Sequence, residues 1–170
     1  MSIPTETGQP LPYAVLDIDA TIADVRHRLH HLKSRPKSWD AFFAGSKHDT
    51  PLEDGLMIAR SLAKGHEIVY LTGRPERTRK DTEQWLAKHG LPKGRVLMRG
   101  DHDRRPSVYL KLAQLKRLAA ERKVAVLVDD DATVCDAAEK SGFAVLRADW
   151  ATDPETQPTL FEAQESEGRT

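Results

Sequence analysis

Short apolar runs alternate with amphipathic stretches along most of the chain. YAVLDI (13–18), EIVYLT (67–72), VAVLVDD (124–130) and FAVLR (143–147) are almost continuously apolar and of strand length. A strand with one wet face would alternate polar and apolar residues, so these runs predict parallel strands covered on both faces. RVLM (95–98) predicts a further short strand. Between the runs the period lengthens to that of a helix. PLEDGLMIARSLAKGH (51–66) sets Leu52, Leu56, Ile58, Ala59, Leu62 and Ala63 on one side and stops at Gly65. PERTRKDTEQWLAKHG (75–90) opens with Pro75 at a first-turn position and stops at Gly90. SVYLKLAQLKRLAAER (107–122) aligns Leu110, Leu112, Leu115, Leu118 and Ala119, and DATVCDAAEKSG (131–142) runs from an acidic cap to Gly142. Strand and helix in alternation predict a three-layer α/β domain on a mainly parallel sheet, spanning residues 12–150.

Composition changes this picture mainly at the ends. Residues 1–11 are polar and proline-rich and form the expected loose lead-in, while residues 151–170 carry Asp153, Glu155, Glu162, Glu165 and Glu167 and are expected to be a flexible acidic tail. Lys plus Arg equals Asp plus Glu at 26 each, so net charge names no partner. The charge is uneven, however: RHRLHHLKSRPK (26–37) is a basic stripe on an apparent small insert covering 25–50. The single cysteine, Cys135, excludes an intramolecular disulfide and a multi-cysteine zinc site, and is most simply a buried core thiol. No apolar run approaches a membrane span and MSIPTETGQPLP lacks a signal-peptide pattern, so the expected setting is cytoplasmic, with no membrane partner.

The chemistry gathers where the predicted strands end. In an open parallel sheet, ligands bind beyond the carboxyl ends of the strands. Those ends deliver Asp17 and Asp19, then Thr72, Gly73 and Arg74, then Asp129, Asp130 and Asp131, with Lys111 early in the helical segment before the last group. Several oxygen ligands in a small space favour a hard cation such as Mg²⁺. An aspartate beside it can attack phosphorus, giving an aspartyl-phosphate that water later cleaves. A second acid can protonate the leaving alcohol and then deprotonate the water. Threonine hydroxyl, glycine N–H and lysine ammonium suit the non-bridging oxygens of the phosphoryl group. Taken alone, Asp17 and Asp19 could equally be a strand end in water; the other polar strand ends tip the balance to a site. Asp131 reads as a helix N-cap, Asp130 as a metal ligand and Asp129 as its support, with the register open by one residue. Lys116 competes with Lys111.

DIDAT, LTGRPE, Lys111 and VDDDATVCDAAEKSG, in that order, resemble the four-motif pattern of the haloacid dehalogenase (HAD) superfamily phosphatases over residues 13–150. More narrowly, the chain is similar to the 3′-phosphatase domain of the phage polynucleotide kinase branch. The resemblance implies a Rossmann-like HAD core, with Asp17 as nucleophile, Asp19 as general acid/base, and Thr72 and Lys111 as phosphate ligands. It implies Mg²⁺ on Asp17, the Asp19 backbone carbonyl and a motif-four acid (Asp130 with Asp129), and substrate contacts from Arg28 and Arg74 beside Gly73. The implied activity is a Mg²⁺-dependent phosphomonoesterase that clears 3′-phosphates from polynucleotide ends, in nucleic-acid repair. A small-molecule phosphatase or nucleotidase is the alternative. A non-enzymatic phosphoacceptor domain ranks lower, because such domains place the acidic pair first and the lone acceptor later. Two positions depart from the pattern: Ala20 replaces the usual glycine, and Ser107 stands where the branch carries an acid. The chain has no G-x-x-x-x-G-K-[ST] loop and so no kinase half of that kind.

The insert follows the first motif directly, where inserts of this superfamily cover the site. It is too small for a full cap and would admit a large substrate such as a nucleic-acid end. His27 and His31 are one helical turn apart, but the glutamate of an H-E-x-x-H zinc site is missing, which favours an exposed basic face. Trp39, Phe42 and Phe43 are expected to pack the insert rather than stack on bases.

Overall fold

The computed structural model describes residues 8–151, 159, 160 and 162. The first apolar run forms β1 (Tyr13–Leu16), buried at every position. β2 (Ala23–Asp24) and β3 (Thr50–Pro51) pair antiparallel and close the neck of the insert. Between them lie α1 (His30–Lys33), α2 (Trp39–Ala44) and 3₁₀ turns at Arg26–Arg28 and Gly45–His48. The chain continues through α3 (Glu53–Leu62), β4 (Glu67–Pro75), α4 (Arg79–Lys88), β5 (Gly94–Arg99), α5 (Ser107–Glu121), β6 (Val124–Asp129), α6 (Ala132–Lys140) and β7 (Val145–Arg147). The strands pair in the order β5-β4-β1-β6-β7, every neighbour parallel.

Period-two alternation along β1 divides the core in two. Ala14 and Leu16 face one cluster, with Leu56 and Ala59 of α3 and Trp85 and Leu86 of α4. Tyr13 and Val15 face the other, with Leu115 and Leu118 of α5 and Val134 and Ala138 of α6. Each large apolar side chain so buried contributes roughly 1.5–3 kcal/mol. A one-residue slip of β1 would exchange the two faces, so the register that places Asp17 and Asp19 is firmly set. α3 sits close under the first motif because Gly55 lacks a side chain: a Cβ there would lie 2.1 Å from the Thr21 carbonyl oxygen.

Two sequence expectations need correction. β7, expected to be covered on both faces, is an edge strand with Leu146 and Arg147 exposed. Pro75 does not open a helix; it ends β4 in extended conformation, opposite Arg99 of β5, and α4 begins only at Arg79 after a 3₁₀ turn. The ladder to β5 holds the proline in the sheet.

The insert has its own apolar cluster of Ala20, Val25, Leu29, Leu32, Phe42 and Phe43, with Trp39 resting on it and stacked 5.8 Å from Phe43. Leu160 is buried against the same cluster, and Glu162 reaches Lys37 at 3.3 Å and Arg35 at 3.9 Å. The remainder of the expected tail, and residues 1–7 of the expected lead-in, fall outside the described residues. No helix among the described residues is long and apolar enough to cross a membrane.

Ala20 takes the left-handed backbone that glycine favours, with φ of 60°. For an alanine this costs about 1–2 kcal/mol. Its methyl group, however, is buried in the insert cluster, which is worth about 0.8 kcal/mol, and a glycine would add unfolded-chain entropy of about 0.4–1 kcal/mol. The terms nearly cancel. Ala20→Gly is therefore expected to shift stability by less than about 1 kcal/mol, whereas Ala20→Val should cost about 2 kcal/mol or more. Urea unfolding midpoints test both, and a large stabilisation by glycine would show that the methyl contributes nothing.

Candidate active site

β1 and β6 lie side by side, so their carboxyl ends bring the first and last acidic groups together. The Asp17 N–H donates to the Val128 carbonyl at 2.9 Å, extending the ladder to the residue that carries the carboxylate. Carboxylate oxygens of Asp17, Asp129 and Asp130 all lie within 4.8 Å of one another. Lys111, fully buried in the second turn of α5, sets Nζ 2.8 Å from Asp129 Oδ2 and 3.1 Å from Asp17 Oδ1. Lys116, the competitor, is exposed. Asp131 caps α6, its Oδ1 accepting from the Thr133 and Val134 N–H groups at 2.9 and 3.4 Å.

Two buried carboxylates, Asp17 and Asp129, and the half-buried Asp130 against one ammonium leave this corner short of positive charge. Burial pushes the Asp17 carboxyl up to about 7; Lys111 opposes the rise and Asp129 adds to it. Burial, with Asp17 and Asp129 nearby, holds Asp130 well above the usual carboxylate range. Burial draws Lys111 down, but Asp129 and Asp17 outweigh it and keep the ammonium charged. Asp17 Oδ2 and Asp130 Oδ2 are both buried without a hydrogen-bond partner. An all-oxygen donor set with two orphaned oxygens fits a hard divalent cation.

Asp19 belongs to a second cluster. Its Oδ1 accepts from Arg28 Nη2 at 2.8 Å and from Arg74 Nη2 and Nε at 2.6 and 3.0 Å. Both arginines also grip Asp49: Arg28 Nε and Nη2 at 2.8 Å each, and Arg74 Nη2 at 3.2 Å. All four charged side chains are buried. Arg28 lies over the Phe42 ring, 4.3 Å from its centroid, and Arg74 Nη1 donates to Thr82 Oγ1 at 3.2 Å. Trp85 Nε1 donates to the Asp49 backbone carbonyl at 2.9 Å, and His27 Nε2 stands 2.6 Å from Asp49 Oδ1. Arg28 and Arg74, expected at the substrate, both donate to Asp19 in this structure. Arg28 is no part of an exposed basic stripe, and Arg26 of the same stripe is paired with Asp24 at 2.6 Å.

Asp49 escaped the sequence reading because it sits in no motif. Its role follows only from the tertiary contacts: two buried arginines on Asp19 require a second acid. Thr72 is buried, its Oγ1 accepting from the Arg74 N–H at 3.2 Å, and the Gly73 carbonyl accepts from Arg99 Nε at 3.1 Å.

A model of the polynucleotide kinase PNKP phosphatase domain matches residues 12–151. No curated protein sequence matches the chain. Among solved structures, a chain of the Pnkp1/Rnl/Hen1 complex is 24% identical, with a TM-score of 0.66 over 81% of this chain and 46% of that one. A chain of the Pnkp1/Rnl/Hen1 RNA repair complex is 22% identical, with a TM-score of 0.67 over 86% of this chain and 44% of that one. The class C acid phosphatase from Bacillus anthracis with tungstate bound is 17% identical, with a TM-score of 0.61 over 92% of this chain and 81% of that one. At these identities the likeness is one of fold, and this chain spans less than half of the two repair-complex chains.

Proposed function

Because the chain belongs to the PNKP phosphatase-domain family of HAD-type phosphatases, we propose that it removes 3′-phosphates from polynucleotide ends in a Mg²⁺-dependent reaction through an aspartyl-phosphate. The observation that carries the chemistry is the pair of orphaned oxygens, Asp17 Oδ2 and Asp130 Oδ2, beside the buried Lys111 ammonium. The family match supports the polynucleotide substrate, as does an insert of only two short helices between β2 and β3. One fold relative is a chain of an RNA repair complex, which agrees with a role in nucleic-acid repair.

In this reading Asp17 attacks phosphorus, its bond to phosphorus forming as the bond to the 3′ oxygen breaks. Asp19 gives a proton to the departing oxygen, then takes one from the water that cleaves the acyl phosphate, releasing inorganic phosphate and restoring Asp17. Thr72 hydroxyl, Gly73 N–H and Lys111 ammonium hold the non-bridging oxygens. Arg28 and Arg74 aim Asp19 and lend positive potential to the approaching dianion. A bound Mg²⁺, held by Asp17, the Asp19 backbone carbonyl and Asp130 with support from Asp129, would offset the carboxylate charge and that of the phosphate.

A substrate panel tests this proposal. A 3′-phosphorylated oligonucleotide should be turned over with kcat/KM at least about tenfold above a 3′-mononucleotide or a 5′-phosphorylated oligonucleotide, and chelation should abolish release. Mononucleotides as the far better substrates would instead make this a small-molecule phosphatase. No Mg²⁺-dependent phosphate release from any monoester would point to a phosphoacceptor domain.

A further inference from the structure

The β4–β5 ladder runs in register from Ile68 opposite Gly94 to Leu71 opposite Leu97, then shifts and resumes with Pro75 opposite Arg99. The residues inside the shift are Thr72, Gly73 and Arg74, the segment proposed to meet phosphate and aim Asp19. A ladder interrupted there leaves backbone groups that need other partners, and the glycine at its centre has the widest conformational freedom of any residue. Arg99 Nε fills the gap by donating to the Gly73 carbonyl at 3.1 Å, which fixes the peptide between Gly73 and Arg74.

The same guanidinium reaches the opposite wall of the site. Its Nη1 donates to the Arg105 carbonyl and, at 3.4 Å, to the Asp103 carbonyl, both in the loop entering α5. Its Nη2 donates to Ser107 Oγ at 3.1 Å. Ser107 opens α5 one turn before Lys111 and is fully buried. Arg99 itself is 1% exposed. Burying a guanidinium is costly unless its donors are satisfied, and an aliphatic side chain would fill the space without that cost. Only a planar fork of fixed donors can address three segments at once; an ammonium is a point charge on a flexible stem.

We infer that Arg99 is a positioning residue for phosphoryl transfer, splinting the Thr72-Gly73-Arg74 loop to the start of the Lys111 helix so that both present their donors to one phosphoryl group. This rests on the phosphatase reading above. The test uses p-nitrophenyl phosphate as substrate and orthovanadate as a transition-state mimic, with both kinetic constants read on the same preparation. Arg99→Met is expected to lower kcat/KM about 50-fold and to raise the vanadate Ki at least tenfold, as a displaced donor set would. Arg99→Lys should remain within about threefold of Arg99→Met, and Ser107→Ala should move Ki the same way by about threefold. Ki does not depend on the folded fraction, so a purely structural role would lower the melting temperature and leave Ki alone. An unchanged Ki in Arg99→Met overturns the inference, as does a wild-type Ki in Arg99→Lys, where charge alone would suffice. Should both Arg99 variants fail to fold, an unchanged Ki in Ser107→Ala decides against it. A wild-type chain that hydrolyses no monoester fails the phosphatase reading itself, a result distinct from an active enzyme whose Ki ignores Arg99.

Discussion

Asp17→Asn should lower turnover by roughly 10⁴-fold or more while leaving the protein folded. An amide oxygen cannot displace an alkoxide from phosphorus, and the neighbouring Asp129 is already engaged, tied to Lys111 at 2.8 Å with its Oδ1 accepting the Asp131 N–H at 3.0 Å. The cost to the fold is expected to be small or even negative. Asp17 is fully buried among like charges, burial and Asp129 already push its proton affinity up, and its Oδ2 has no partner to lose. Removing that charge relieves repulsion, so the melting temperature should hold or rise in metal-free buffer. Single-turnover phosphate release and a thermal melt on the same variant check both halves. Activity retained above about 1% of wild type would refute the nucleophile assignment.

Asp49→Asn is expected to have the largest effect on stability, on the order of 3–5 kcal/mol, because it strands two buried guanidinium groups on one carboxylate. The substitution is nearly isosteric and keeps the backbone carbonyl that accepts from Trp85, so it isolates the charge. Activity should fall with it, since Arg28 and Arg74 would no longer be held from behind against Asp19. The contrast is Asp24→Asn, which breaks the Arg26 pair at the surface and should cost within about 0.5 kcal/mol. Chemical unfolding of both variants measures the difference. Equal, small losses would mean that solvent reaches the Asp49 network, and the claim of a desolvated cluster would fall.

Local residue patterns made the sheet and part of the site legible, for a physical reason. A strand covered on both faces must be apolar along its whole length, so YAVL and VAVLVD announce themselves, and the polar residues that follow mark the strand ends. Lys111 rested on its place in the motif order, and the structure supplies the physical reason: it lies with Ser107, Leu115 and Leu118 on the buried stripe of α5, while Lys116 is exposed. Three features were out of reach. The ladder shift at Thr72 depends on a partner strand more than twenty residues away, and Pro75 looked like a helix start until β5 was seen to hold it in the sheet. Asp49 is defined by where Arg28 and Arg74 point, a matter of tertiary contact between segments 21 and 25 residues apart. Ala20 declared itself an oddity in sequence, but only its φ of 60° shows which cost the methyl offsets.

The Arg28–Asp49 pair also sets a rule for remodelling this protein. The two residues stand near opposite ends of the insert, and both belong to the cluster that holds Asp19. They act as the two jaws of a socket: whatever is spliced between them must return the chain to the same pair of positions. Loop grafts, tags or a transplanted cap from a larger relative are best introduced at the exposed stretch 33–36, which stands clear of both jaws. A graft that trims back to residue 28 or 49 alters the proposed proton-transfer group itself, however distant the added segment lies from the phosphate.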